Sequence, residues 1–504
     1  MKIKTITWII MLVMSAALAL SVQMAAQDKA KQHHPHQYHH YQISDPGTFG
    51  GPGDYLQLPP APRAGVLNNR GTLVGAADTT TPDPYCGFGP PCYAGHAFQL
   101  QDGVTTDLGR LPGGFDSQVN WISESGAMTG PGDNGQPDPL PPFPLPQIHA
   151  ILWDHGSMTD LGTLPGGYFS YSNGVNSRGE VVGAAQNTVP DPNSMLWLGT
   201  QTRAFYWNGG TIQDIGTLPG GTDAQAALIN ERGQVAGWSY TNSTPSAICA
   251  GFYNYGFFLT TGSFIWDKEN GVRDIGGLGG TCTLAMDLNN QGQVVGLSAI
   301  PGDVNLHPFD WEAGNGMTDL LAGSPGATAY WQVTINQNGV VASGEQDALG
   351  RWHSLLWRKT GGKWKKMDIG FDSVPTSINE SEQVIGYGSI PFLWEEGGVM
   401  VDLNTLVPPN SGIQLYETGN INDLGEIAVQ GPDANGNNHA VLLIPCDDNH
   451  RDVEGCDYSM VDASEVASRP SPAVSGAASR ALPQSPLRRM NRYHLPGLGV
   501  SRPE

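Results

Sequence analysis

One eight-residue phrase limits what this chain can fold into. Asp160-Leu-Gly-Thr-Leu-Pro-Gly-Gly167 recurs nearly unchanged at Asp107 to Gly114 and at Asp214 to Gly221. Weaker copies stand at Asp274 to Gly280, Asp319 to Gly326, Asp368 to Gly370 and Asp402 to Leu406, and a divergent copy, Asp45 to Gly51, precedes them. A phrase that returns every few tens of residues marks a repeat architecture, in which each unit buries its apolar face on its neighbours. It also bounds function. A residue present in every unit builds the fold, so specific chemistry is sought in what is not repeated.

Each unit has four pieces in fixed order. The first is an Asn-x-x-Gly turn, led by Asn68, Asn176, Asn230, Asn289, Asn336, Asn379 and Asn422, with Ser123 in the remaining unit. Asn at the first position and Gly at the fourth suit a type I turn joining two strands, because the Asn side chain accepts backbone N–H groups inside the turn. A short β-branched strand follows, such as Val294-Val-Gly296. The third piece is an apolar strand that usually ends in Trp, such as His149-Ala-Ile-Leu-Trp153. Both of its faces are apolar, so packed sheets must cover both. The fourth piece is a strand entering the repeated phrase, whose Asp107, Asp160, Asp214 and Asp274 are placed to hold the glycine turn after them.

Four short antiparallel strands per unit predict an all-β fold, a closed β-propeller of about eight four-stranded blades. The eighth unit lacks a fourth strand, and Tyr41 to Asp45 is a spare one ahead of the first turn. The N-terminal strand is therefore expected to complete the last blade, which removes exposed sheet edges.

Composition agrees with this architecture and adds a compartment. Gly 67, Pro 38 and only 14% charged residues fit turn-rich β structure. A net charge of −22 argues against nucleic acid as a partner. Residues 1–26 read as a signal peptide, with Lys2 and Lys4 before the apolar run Trp8 to Leu20 and small residues up to Ala26. The mature protein is expected to be secreted or on the exterior of the cell envelope, the periplasm included, with no stable membrane insertion. Residues 27–40 read as a His-rich linker, 41–446 as the repeat domain, and 447–504 as a disordered Ser/Pro/Arg-rich tail. Six cysteines in an exported chain invite pairing. Cys86 and Cys92 share a loop, Cys446 and Cys456 bracket the end of the repeats, and Cys249 and Cys282 are left for each other; spacing alone leaves the connectivity open.

The repeat resembles the secreted bacterial HAF-repeat family, named for its His-Ala-Phe strand. His96-Ala97-Phe98 is the literal match, and His149-Ala150 and His439-Ala440 are partial ones. The Asp-Leu-Gly-Thr-Leu phrase and the Asn-x-x-Gly turn match as well. The resemblance spans roughly residues 41–446. It implies export and a repeat architecture, and carries over no catalytic residue. Ser343 and Glu382 depart from the pattern, each standing where the repeat has glycine.

Function must then reside in the unrepeated parts. Strand order places the segments between second and third strands on one face. Those of units 1–4, residues 76–95, 131–148, 184–202 and 238–262, are long, whereas those of units 5–8 are short. Long insertions on a rigid scaffold are where recognition usually resides. The candidate ligand contacts are their aromatics: Tyr85, Phe88, Tyr93, Phe143, Trp197, Tyr240, Phe252 and Tyr253. No G-x-S-x-G elbow, phosphate loop, HExxH or CxxC occurs, and no cofactor is expected. No metal site is expected either: the tract His33, His34, His36, His39 and His40 lacks ordered spacing, and Asp433 to Asn437 and Asp133 to Gly135 read as turns. The chain is expected to be an exported, non-catalytic binding or scaffold propeller for an extracellular glycan or protein. The alternatives are a propeller-fold polysaccharide hydrolase or lyase, and a cell-surface structural or adhesive repeat protein.

Overall fold

The computed structural model of the protein describes residues 36–57, 65–85, 92–140, 145–196, 199–253, 259–329 and 332–463. Eight four-stranded antiparallel sheets succeed one another, the β-propeller that the repeat predicts. The third blade is typical. It runs Ser170–Val175, Val181–Pro190, Thr200–Trp207 and Gln213–Gly216, each strand paired with the next. First strands adjoin the first strands of neighbouring blades, so they stand nearest the axis. Tyr41–Ser44 pairs antiparallel with Asn438–Pro445, Tyr41 opposite Pro445 and Ser44 opposite Leu442. The N-terminal strand thus completes the eighth blade.

The Val-Val-Gly strands explain themselves in the packing. Phe98, Phe205, Phe264, Phe309 and Phe392 are fully buried on the third strands. A Cβ on Gly183 would lie 2.0 Å from the Tyr171 carbonyl oxygen and 2.7 Å from the Phe205 ring. Gly237 and Gly386 meet the same two obstacles, so the second strand passes only where it has no side chain.

The asparagine turns do more than turn. Inside each turn the Asn Oδ1 accepts backbone N–H groups, as in Asn289, which takes those of Gln291 (3.0 Å) and Gln293 (3.1 Å). The Nδ2 of the same side chain reaches out of the blade. Asn68 donates to the Ser123 carbonyl (3.1 Å), Asn176 to Asn230 (3.2 Å), Asn230 to Asn289 (3.0 Å) and Asn289 to Asn336 (3.3 Å). Asn336 donates to Asn379 (3.0 Å), Asn379 to Asn422 (2.9 Å), and Asn422 back to Asn68 (3.0 Å). One link is absent from this circle, from blade 2 to blade 3, because Ser123 has no amide to give; there Asn120 Nδ2 bonds the Ser172 carbonyl instead (3.2 Å).

A second circle runs beside the first. The backbone N–H one residue after each Asn donates to the side chain at the same position of the next blade: Asn290 to Gln337 (2.7 Å), Gln337 to Glu380 (2.6 Å), Glu380 to Asp423 (3.0 Å) and Asp423 to Asn69 (2.8 Å). The turn ends in a left-handed residue, Gly292 at φ 86° for example. Glu382 holds that conformation at φ 60° without being glycine. Arg358 Nε ties its carboxylate at 2.7 Å, which offsets part of the backbone cost.

Paired strands lie beyond both boundaries expected from sequence. Gln37–His39, inside the expected His-rich linker, pairs with Met460–Asp462, inside the expected tail. Tyr38 is buried, and its hydroxyl donates to the Val399 carbonyl at 2.5 Å. His36 meets Glu395 at 2.8 Å. The Cys446–Cys456 disulfide holds the chain where it leaves the eighth blade. Each of these strands carries a single buried apolar residue, Tyr38 or Val461, which is too little pattern to read against a polar background.

The circle of amides is testable by chemical denaturation. Asn289→Asp keeps the acceptor inside the turn and removes the donor between blades, and should cost about 1–3 kcal/mol. Ser123→Asn should supply the absent link and add about 1 kcal/mol.

Candidate functional site

The face opposite the asparagine turns is uneven. The second strands of blades 1–4, Leu73–Pro82, Met128–Pro137, Val181–Pro190 and Val235–Pro245, have 10, 10, 10 and 11 residues. Those of blades 5–8, Val294–Ala299, Val341–Gln346, Val384–Gly388 and Ile427–Pro432, have 6, 6, 5 and 6. The long strands bulge and then pair again with their partners: Pro82 with Tyr93, Pro137 with Pro146, Pro190 with Thr200, Pro245 with Leu259. Four adjacent blades therefore rise above the ring as hairpins and form a crown over half of one face. The insertions expected as loops are in large part strand. Thr79-Thr-Thr81 and Asn187-Thr-Val189 gave no apolar alternation, because a two-stranded ribbon standing in solvent buries little of either face.

Three crown hairpins close on the same device, a Pro-Asp-Pro at 82–84, 137–139 and 190–192. Proline ends the ladder, since it has no N–H to give. The aspartate N–H makes the last cross-strand bond, Asp83 to the Cys92 carbonyl (3.1 Å), Asp138 to Leu145 (2.8 Å) and Asp191 to Gly199 (3.0 Å). Each carboxylate then accepts the N–H two residues on, from Tyr85, Leu140 and Asn193. In the fourth blade Ser246 takes the place of Asp, and a short helix, Ala247–Tyr253, follows. Its Cys249 bonds Cys282, just ahead of the next blade's first strand (Thr283–Leu288), so the helix is tied to the ring.

Polarity sets this crown apart. Residues 76–95, 131–148, 184–202 and 238–262 contain no Lys, Arg, His or Glu. Their acids are Asp78, Asp83, Asp133, Asp138 and Asp191, and all of these are buried. What the described crown offers to solvent is uncharged: hydroxyl, amide and backbone groups, the turn prolines and two aliphatic side chains, Leu140 and Val189.

The expected contact residues fall in different places. Tyr85 is half-buried, edge-on to Phe115 at 6.2 Å between ring centres, and Tyr93 is half-buried where the third strand begins. Tyr240 is only 2% exposed and packs in the core, so the structure removes it from the contact set. Its strand position accounts for this: Tyr240 still pairs with Thr261 in the continuous ladder before the bulge, where the strand is buried on both faces. Phe252 and Tyr253 lie on the helix, while Cys86, Phe88, Phe143 and Trp197 lie outside the described residues. The large apolar side chains exposed on the described crown are aliphatic, Leu140 and Val189.

Two buried carboxyls fasten the crown to the ring. Asp133 accepts from the Asp116 N–H (2.7 Å) and the Gly135 N–H (3.0 Å). Asp223, just ahead of the first strand of blade 4 (Ala224–Ile229), reaches across to blade 3 and accepts from Met195 (3.0 Å) and Thr202 (2.7 Å). Burial pushes both carboxyls up, to about 6. At the outer rim the repeated strand histidines meet the repeated aspartates. His96 Nδ1 lies 2.9 Å from Asp107, His149 2.8 Å from Asp160, His307 3.0 Å from Asp319 and His353 2.8 Å from Asp368, with Arg203 serving Asp214 at 2.8 Å. The other carboxylate function is structural: Gly109, Gly162, Gly216 and Gly276 donate their N–H groups to Asp107, Asp160, Asp214 and Asp274.

No family model matches the chain, and no curated protein does. Solved propellers resemble it distantly. The β-propeller domain of the Trilobed protease from Pyrococcus furiosus is 9% identical, with a TM-score of 0.39 over 68% of this chain and 95% of that one. A post-proline cleaving enzyme from Rickettsia typhi is 10% identical at 0.41, over 72% of this chain and 56% of that enzyme. The Aleuria aurantia lectin is 12% identical at 0.29, over 62% and 96%. At these values the likeness says nothing of activity. Among the described residues no helix is long and apolar enough to cross a membrane.

The buried carboxyl of Asp223 gives the crown a pH dependence. Its raised pKa means that the fold favours the neutral acid, so its contribution is complete below the ordinary carboxyl range and is lost as pH rises through about 6. Asp223→Asn is neutral throughout. In thermal melts from pH 4 to pH 8 the parent should lose about 1–3 kcal/mol relative to the variant, most of it between pH 4 and pH 7.

Proposed function

We propose that this is an exported, non-catalytic binding propeller of the HAF-repeat type, which holds an uncharged polymer, a neutral glycan chain, on the crown of blades 1–4. The observation that carries the reading is the crown itself: four adjacent hairpins, lengthened only on this half of the ring, with every acid buried and no basic side chain. Neutral sugars are read by hydroxyl, amide and backbone groups set in fixed geometry, and hairpins tied by Pro-Asp-Pro turns and a disulfide hold such groups at low entropic cost. Charged polymers gain nothing from such a surface, and the overall charge of −22 repels polyanions. The leader-like residues 1–26 and the Cys249–Cys282 and Cys446–Cys456 disulfides support a place outside the cytoplasm.

A second reading, a polysaccharide hydrolase or lyase, draws on one residue. Glu417 stands half-buried on the first strand of blade 8, with Gln430 Nε2 donating to it at 3.2 Å. Burial pushes its carboxyl up to about 7, where it can act as a proton donor at neutral pH. Tyr387 lies within its electrostatic reach.

An array of neutral and charged polysaccharides, scored for retention and for cleavage, separates the two. Retention of a neutral polymer without cleavage is expected. Replacing residues 187–200 and 242–258 by short turns should abolish retention while the far-UV spectrum is kept. Retention that survives this shortening, and the matching shortening of the hairpins of blades 1 and 2, would refute the crown as the site. Cleavage that Glu417→Gln abolishes would establish the enzyme reading instead.

A further inference from the structure

The Ala N–H of each His-Ala strand finds an acceptor on the next blade, on its first strand or just ahead of it. In blade 1 it is Ser117 Oγ, taking the Ala97 N–H at 2.9 Å, and in blade 2 it is Ser170 Oγ, taking the Ala150 N–H at 2.8 Å. At the seam between blades 8 and 1 the Ala440 N–H goes to Asp54 Oδ1, at 2.6 Å. A carboxylate does a serine's work there. Its second oxygen, Oδ2, is buried without a hydrogen-bond partner, and Asp54 is 0% exposed.

That spare oxygen faces a donor set. Oδ2 of Asp54 lies 3.7 Å from His439 Nδ1, which also meets Asp45 Oδ2 at 2.9 Å. The three ligand atoms lie within 4.8 Å of one another. Asp45 Oδ1 is engaged by the Gly47 N–H at 2.7 Å, which fixes the carboxylate and leaves Oδ2 turned to the cluster. Asp433 Oδ2 stands 3.8 Å from the far ring nitrogen, Nε2, and accepts from the side-chain amides of Asn435 and Asn437, whose backbone N–H groups hold Oδ1. Among the described residues no Lys or Arg pairs with these carboxylates. The corresponding pair in blade 1 has Arg110 Nε 3.2 Å from His96 Nε2. The seam gathers three carboxylates against one imidazole, with a buried oxygen that nothing else satisfies.

We propose that Asp45 Oδ2, Asp54 Oδ2 and His439 Nδ1 form a binding site for a divalent transition-metal ion. One nitrogen and two carboxylate oxygens suit Zn²⁺ or Mn²⁺, with water completing the shell. The Asp433 carboxylate lies on the Nε2 side of the ring, 3.8 Å away, and its charge favours the tautomer that carries the proton on Nε2 and leaves the Nδ1 lone pair for the ion. The ligands come from the N-terminal closing strand's end, the first strand of blade 1 and the third strand of blade 8. The bound ion therefore clamps the one place where the ring is closed by segments from opposite ends of the chain.

The test uses the chelator-treated full chain, with Zn²⁺, Mn²⁺ and Ca²⁺ as probes, read by calorimetric titration and by thermal melting. Zn²⁺ or Mn²⁺ at 100-fold over its Kd should raise Tm by several degrees, and Ca²⁺ should have little effect. Asp54→Ser restores the repeat's own hydroxyl, so it should fold and melt like the parent in chelator. It should lose the Tm rise and one equivalent of tight metal. His439→Ala should lose the same equivalent, whereas removal of residues 27–35, which carry His33 and His34, should leave it in place. The proposal is overturned if the parent shows no saturable Zn²⁺ or Mn²⁺ binding, or if Asp54→Ser binds and is stabilised as the parent is.

Discussion

The rest of the molecule depends on a single side-chain amide used twice. In each asparagine turn the oxygen shapes the chain inside the blade and the nitrogen binds the carbonyl of the blade beside it. A local turn and a long-range contact are thereby the same event: no turn forms correctly without aiming its donor at a neighbour. Buried amides that keep both halves occupied define geometry tightly, because any other arrangement leaves a polar atom unpaired. Asn422 returns to Asn68, and at the one gap, beside Ser123, the Asn120 amide makes the bond to the next blade.

Over this regular base the molecule is divided into unlike halves. Blades 5–8 turn back as soon as their sheet is complete, while blades 1–4 continue upward. The extension keeps the repeat's method, with prolines to stop the ladder and an aspartate to hold each turn, but changes its chemistry from apolar to hydroxyl and amide. The buried acids Asp133 and Asp223 couple these hairpins to the ring below. Their burial is unfavourable when they are ionised, which is the usual mark of positions kept for geometry and not for stability.

Architecture was legible in the sequence wherever a pattern recurred. Turn, strand order, blade number and the closing strand at Tyr41–Ser44 all follow from counting pieces, since a propeller repeats its physics as often as its residues. The donor role of the asparagine Nδ2 was not legible, because its acceptor lies a whole blade away and is a carbonyl that every residue possesses. The hairpins of the crown escaped for another reason: strands wet on both faces show no alternation, and only the Pro-Asp-Pro triplets announce them. Tyr240 was misplaced by treating residues 238–262 as one loop when their first part continues a buried strand. The approach of Asp54 to His439 was not legible either, because Asp54 lies before the first recognisable turn and its partner far along the chain.

The pairing of Gln37–His39 with Met460–Asp462 has a consequence for how the molecule is held. Entry and exit of the ordered chain lie side by side, braced on Glu395 and Val399 of the seventh blade. The segments before residue 36 and after residue 463 therefore join the propeller at one spot on its rim, on the low half of the ring, so a load carried by either one reaches the same place.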